Sequence, residues 1–294
     1  MAVSGFDPIQ FLLRHRLIEA QALSVEPLAG GYLNQVYRVR GAHIDWVVKR
    51  FRLSSDLGLF PNLPSGEAMA LERLATIGAA PTPVAFVDSD PTAPVLVYEF
   101  YAGRPWNGDV AQVARLLRRI AQVEPTGFRA VPMSAGDILT QGDAFAAVCQ
   151  ASMRRRIAAA RPLPIDVPAV PRRLIHTDFG PGNLIVGAEG LKAIDWQCPA
   201  AGDPAEDLAA FLSPAFQILY GRLPLTTDEE RALIAAYDDE ATVARLHLLR
   251  PFFDWRMASY CAMREEHHAG TRPDFSARYK MATASLLTRL GETA

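Results

Sequence analysis

The stretch Ile175–Val186, IHTDFGPGNLIV, places a carboxylate, Asp178, five positions before an amide, Asn183. The tripeptide Asp178-Phe179-Gly180 matches one that grips magnesium in phosphoryl-transfer enzymes. An Asp followed by four residues and an Asn is, however, the spacing in which the Asp faces a hydroxyl nucleophile instead. The two readings separate on whether another Asp is available for the metal. After Asn183 come LIVG, the turn AEG and LKAID, which read as two short strands joined in a hairpin that returns Asp195 to the side of the Asp178 loop. Magnesium takes hard oxygen ligands and keeps several waters, so Asp195, the amide oxygen of Asn183 and phosphate oxygens would suffice for it. Asp178 is then left to orient a hydroxyl and accept its proton.

Two styles of sequence must position these residues. From Val25 to Phe100 short strand-like runs dominate: QVYRVR and WVVKRF alternate, and VLVYEF reads as a buried strand. A helix interrupts them, beginning near Ser65, carrying Glu67, Ala68, Leu71 and Leu74, and stopping at Gly78 before PTP. After Gly103 the pattern turns helical. In DVAQVARLLRRIAQVE, Val110, Val113, Leu117 and Ile120 share one face against Arg115, Arg118 and Arg119. TTDEERALIAAY starts another helix, with Thr227 and Glu230 spaced as a capping box. The Arg/Ala/Pro-rich residues 154–173 read as a helix end and loop, and no internal repeat is present.

Composition excludes several classes. The 294 residues, half of them hydrophobic, can bury a sizeable core. Thirty basic against thirty-two acidic residues, a formal charge of −2, provide no basic field for nucleic acid or an anionic membrane. Cys149, Cys198 and Cys261 form no pair at metal spacing, which suits a reducing cytoplasm. The start, MAVSGFDPIQFLLRHR, has too short an apolar stretch for a secretory signal, and no apolar run reaches spanning length.

HTDFGPGNLIV followed by AIDW and GDPAEDLA resembles the aminoglycoside phosphotransferase and choline kinase superfamily, small-molecule kinases with a protein-kinase-like fold. Upstream, LAGGYLNQVYRV is similar to the family's phosphate-covering loop and second strand, and VVKRF to the strand with the nucleotide-binding lysine. GEAMALERLATIGAAPTP is similar to the helix with the paired glutamate, and VLVYEFYAGRPW to the hinge where adenine binds. The resemblance runs from about residue 25 to about residue 212, and the order of several motifs makes it specific.

The resemblance implies an α+β, two-lobe fold. A small antiparallel-sheet N-terminal lobe with one main helix, residues 1–101, would bind nucleotide, and a larger, mostly helical lobe, 102–294, would hold the catalytic and acceptor sites. It implies ATP or GTP with Mg2+ and transfer of the γ-phosphate to a hydroxyl of a small molecule. Gly30, Gly31, Asn34, Lys49, Glu67, Glu99 and Tyr101 fall to the nucleotide, Asn183 and Asp195 to the metal, and Asp178 to catalysis. His176 is implied to be structural, while Asp203 and Asp207 are implied to hold the catalytic loop by backbone hydrogen bonds. Helix capping is the simpler reading of Asp203. On residues alone, Lys49 shares its strand face with Val47 and Phe51 and so points inward, and Glu67 also suits a helix start. The Gly30-Gly31 loop lacks the Gly-x-Gly-x-x-Gly of protein kinases. Two departures stand out: Gln197 occupies a position that is acidic in many relatives, and the literal Asp178-Phe179-Gly180 falls in what the resemblance makes the catalytic loop, where it is a decoy.

The acceptor must be read from the helical end. RPFFDWRMASYCAMREEHH sets Trp255 and Tyr260 beside Glu265, groups that suit a cationic amine such as an aminated alcohol or amino sugar. The same residues also fit a buried amphipathic helix. A kinase of a neutral sugar or hydroxy amino acid is the alternative acceptor class. A catalytically inactive kinase-like module is the alternative of another kind, although Lys49, Asp178, Asn183 and Asp195 are all present. Oligomeric state is not encoded in any pattern here.

Overall fold

The computed structural model describes residues 6–19, 23–28, 34–52, 58–89 and 93–291. In chain order its elements are α1 (Pro8–Arg14), β1 (Ser24–Pro27), β2 (Gln35–Arg40), β3 (Asp45–Arg50), α2 (Pro64–Ala75), β4 (Pro83–Val87), β5 (Val95–Glu99), β6 (Gly103–Pro105), α3 (Val110–Ile120), β7 (Arg129–Ala130), α4 (Ala135–Ala147) and α5 (Ala151–Ala159). There follow β8 (Arg173–Ile175), a single 3-10 turn (Pro181–Asn183), β9 (Leu184–Gly187), β10 (Gly190–Ala193), β11 (Ala200–Gly202), α6 (Pro204–Leu212), α7 (Pro214–Leu219), α8 (Thr227–Tyr237), α9 (Glu240–His268) and α10 (Pro273–Arg289). The chain divides into two compact units: Met1–Arg104 with Gly187–Cys198, and Pro105–Val186 with Pro199–Ala294. Where the sequence reading divides once, at 101 and 102, the segment Gly187–Cys198 groups with the first unit. Backbone bonds explain it, since Ala193 N–H donates to Ala79 O and Leu63 N–H to Gln197 O.

The first unit is built on an antiparallel sheet in the order β1-β2-β3-β5-β4. Its central strand, β3, pairs Lys49 with Val36 on one side and Leu96 on the other. Period-two alternation sends Val48 to one face, where it joins Val39, Val97 and Leu12 of α1. Lys49 goes to the opposite face, toward Glu67 of α2. The sequence reading provided for one main helix; α1, capped by Asp7 accepting from Ile9 and Gln10 N–H, is a second. Helix α2 carries Pro64 in its first turn and ends before a turn at Gly78, φ +66°.

The second unit is mostly helical, with a three-stranded sheet in the order β7-β11-β8. Side-chain oxygens of Asp109, Ser134, Asp203, Ser213, Thr226 and Asp239 cap α3, α4, α6, α7, α8 and α9. The face expected for α3 is buried as read. The capping box of α8 is Thr226 with Glu229, one residue before the expected Thr227 and Glu230. Both pairs have the same spacing, and the extended backbone of Thr226 decides between them. No described helix is long and apolar enough to cross a membrane.

Helix α9 is central, packed by α4, α6 and α10, and every residue from Phe252 to Ala262 is buried. This corrects the reading of Trp255 as an acceptor contact. Trp255 is 1% exposed, donates its indole N–H to Ile157 O at 2.9 Å, and lies against Gly142 of α4 so closely that a methyl group there would collide with its ring. Trp255→Ala should therefore cost about 3–5 kcal/mol of folding stability by opening a cavity. Chemical denaturation measures it. A small stability loss joined to a raised acceptor KM would restore the contact role.

Candidate active site

Three charges meet in the first unit. The ammonium of Lys49 lies 2.9 and 2.6 Å from the two carboxylate oxygens of Glu67 and 2.6 Å from Asp195 Oδ1. Lys49 and Glu67 are fully buried, whereas the Asp195 side chain is 35% exposed. Burial works against the Lys49 charge, but Asp195 and Glu67 more than reverse it, so its pKa is raised and it stays protonated. Asp195 is the more exposed side of the cluster. Asp195 sits at φ +59°, an unusual region for a residue with a Cβ. Its neighbours hold it there: Trp196 is buried and donates its indole N–H to Ala193 O, and Gln197 O accepts from Leu63. The lysine's carboxylate partners are thus Glu67 and Asp195.

The other residues expected from the sequence to meet a nucleotide are placed as follows. Gly30 and Gly31 lie outside the described residues. Asn34 is buried in a reciprocal amide pair with Asn62, and its oxygen also accepts from Arg52 N–H. That makes it a brace for its loop. Glu99 is exposed at the end of β5, paired opposite Trp46. Tyr101 donates its hydroxyl to Gly190 O at 2.8 Å and stacks under Lys192, binding the turn into β10.

In the second unit β8 delivers His176, Thr177 and Asp178. Thr177 is at φ +67°, a genuine outlier for a β-branched residue. Asp207 of α6 holds that turn, its oxygens accepting His176 N–H at 2.7 Å and Thr177 N–H at 2.9 Å. Burial pushes the Asp207 carboxyl up to about 7, against the pull of those two N–H donors. Asp203 does not share this task, which corrects half of the sequence expectation. It caps α6 through Ala205 N–H and pairs with Arg245. His176 is wholly buried, edge-on to Phe179, as a structural histidine would be.

Asn183 closes the loop by donating its amide N–H to Asp178 O at 2.9 Å. Its nitrogen being committed, its amide oxygen is the atom left to meet a cation. Gly180 precedes the 3-10 turn and Gly182 lies within it, and a Cβ on either would strike the ring of Tyr220, at the end of α7. Sequence reasoning missed Tyr220 because nothing in its local pattern points back to the loop.

A family model described as the phosphotransferase enzyme family matches residues 24–252. The chain belongs to that family. No curated protein matches the sequence. Among solved structures, a choline/ethanolamine kinase family protein from Mesorhizobium loti is 20% identical, with a TM-score of 0.60 over 92% of this chain and 88% of that one. A thermostable mutant of an aminoglycoside phosphotransferase, in ternary complex with AMP-PNP and hygromycin B, is 13% identical, with a TM-score of 0.64 over 97% of this chain and 99% of that one. Plasmodium vivax ethanolamine kinase is 14% identical, with a TM-score of 0.62 over 93% of this chain and 85% of that one. At such identities the likeness is one of fold, the protein-kinase-like fold expected from the motifs.

For this phosphotransferase, the ring on the loop makes a specific test. Gly182→Ala should lower turnover by about ten- to a hundredfold, because the loop or Tyr220 must shift. In a Tyr220→Ala background the same substitution should add little. Independent, additive losses would show that the ring is not the obstacle.

Proposed function

We propose that the protein is a kinase of a small molecule, transferring the γ-phosphate of ATP to a hydroxyl with magnesium bound. The observation that carries this reading is the Lys49 ammonium shared between Glu67 and Asp195, a buried arrangement suited to a polyphosphate and a divalent cation. AMP-PNP and hygromycin B, the ligands of the similar aminoglycoside phosphotransferase complex, support ATP and a small-molecule acceptor.

The residues fit a magnesium site on their own chemistry. Asp195 would supply a carboxylate oxygen from the partly exposed side of the Lys49 cluster, and Asn183 the amide oxygen left by its N–H bond to Asp178 O. Bound magnesium would supply neutralisation of phosphate charge. Lys49 holds phosphate oxygens, with Glu67 fixing its ammonium. Asp178 orients the acceptor hydroxyl and takes its proton as the hydroxyl oxygen bonds to phosphorus and the bond to the ADP oxygen breaks. Asp207 keeps Asp178 aimed by fixing the turn before it. An aminated acceptor, the expectation from sequence, loses one of its supports with Trp255 in the core. Ethanolamine kinase and choline/ethanolamine kinase neighbours remain an argument for it by analogy alone.

Asp178→Asn should lower turnover by roughly 10²- to 10⁴-fold, leaving the Kd for magnesium-nucleotide near wild type. Near-normal turnover would remove Asp178 from its role. Asp195→Ala should abolish the gain in nucleotide affinity that magnesium gives wild type, as read by titration with and without the metal. An unchanged magnesium effect would place the metal elsewhere.

A further inference from the structure

Helix α7 ends in a cap built from backbone alone. Gly221 takes φ +75°, its N–H donates to Ile218 O at 2.9 Å, and Arg222 N–H donates to Gln217 O at 2.8 Å. This left-handed turn fixes Tyr220, the residue before it, against the catalytic loop. A Cβ on Gly180 would run into Cε2 and Cδ2 of Tyr220, and one on Gly182 into Cδ1 and Cε1, so the ring spans both glycines with opposite edges. Arg222 ties down the other side of the turn. Its guanidinium donates to Trp106 O at 3.1 Å and stacks on the Trp106 ring, and Trp106 N–H in turn donates at 2.9 Å to the carbonyl of Leu184, the residue after Asn183.

The Tyr220 ring is held but not enclosed. Phe179, Phe211 and Trp106, the other rings packed about this loop, are buried, whereas Tyr220 is 37% exposed and is the one exposed aromatic residue among those described. A large apolar face left open to water is the informative exception on a protein surface. This one stands close to the catalytic base. Gly180 N–H donates to Asp178 O at 2.9 Å, and two peptide steps put the Cα atoms of Gly180 and Asp178 at most about 7.6 Å apart. Leu223 adds a second exposed apolar side chain to the same turn. Charge along the segment is one-sided: between Leu208 and Thr227 there is no Asp or Glu, and Arg222 is the single charged residue.

We propose that Tyr220 binds the acceptor, and that the acceptor is an uncharged cyclic polyol lying with its C–H face on the open side of the Tyr220 ring while one of its hydroxyls meets Asp178. This rests on the phosphotransferase reading above and names a specificity-determining residue and the substrate class it selects. A sugar-like ring combines an apolar face with hydroxyls at its rim, so one molecule satisfies both the tyrosine and the carboxylate. Tyrosine supplies such contact area at low entropic cost, and here the helix cap and the two glycines already hold it in place. An ammonium on the same face would gain from the ring but meet the like charge of Arg222, with no carboxylate in that segment to offset it. An open-chain polyol would lose rotational freedom to present the same face.

The test uses the full-length protein and compounds of differing shape and charge: glucose, N-acetylglucosamine and myo-inositol as uncharged rings, glucitol as the open chain, glucosamine and choline as cations. ADP release with magnesium-ATP, and the shift in Tm with magnesium-ADP, are measured for each. An uncharged ring should lead, with glucitol and the cations weaker by about tenfold or more in kcat/KM, or in Kd where only binding is read. Tyr220→Leu should raise the KM or Kd of the leading ring by about tenfold or more, with nucleotide affinity within about twofold, while Tyr220→Phe should stay within about threefold of wild type. If the ring only props the loop, Tyr220→Leu instead lowers kcat for every acceptor at unchanged KM. That result, an open-chain or cationic compound in the lead, or no uncharged ring acting in either assay would overturn the inference while leaving the phosphotransferase standing. The comparison of compounds on wild type holds whether or not a variant folds. Failure of wild type to bind magnesium-ATP would overturn both.

Discussion

A buried ammonium is tolerable only beside negative charge, and Lys49 fixes much of the first unit by that requirement. Glu67 must stand in the first turn of α2 to reach it, and Asp195 must arrive from the far end of the sequence. The same short segment settles where α2 begins, because Gln197 O accepts the N–H of Leu63, just ahead of the helix. No side chain caps α2, so this backbone bond and Pro64 stand where a Ser or Asp would otherwise be expected. Removing one carboxylate from such a cluster leaves charge uncompensated, typically about 3–5 kcal/mol in a buried pair. The partly exposed Asp195 side softens that figure for its own loss.

Strain is stored beside Asp178 and at Asp195. Thr177 precedes Asp178 in a left-handed conformation, and Asp195 adopts one itself. Such conformations cost roughly 1–3 kcal/mol each and persist only where neighbours over-determine them. Asp207 does so for Thr177 with two backbone bonds, and the buried Trp196 does so for Asp195. Asp207 is itself desolvated, so the loop is held by a group that a less ordered loop would leave unsatisfied.

Local chemistry was legible in the sequence, and long-range placement was not. Asp178 and Asn183 could be paired from spacing because their link is a bond within one loop. Strands such as QVYRVR and the buried face of α3 followed from periodicity. The capping box of α8 was legible as a type but not in register, since Thr226 and Thr227 offer the same spacing. The grouping of Gly187–Cys198 with the first unit depends on backbone bonds to Ala79 and Leu63 that no local pattern announces. Asp203 and Asp207 looked alike within GDPAEDLA, yet one faces Arg245 and the other the catalytic turn.

Helix α9 shows why composition misled most at the acceptor end. Phe252, Phe253, Trp255 and Tyr260 look like a binding surface when written in a row, but a helix packed by α4, α6 and α10 is buried on all sides over this stretch, its charged Asp254 and Arg256 included, and offers few residues to a ligand. The aromatic ring with the largest apolar area, Trp255, is thereby the one most committed to the interior.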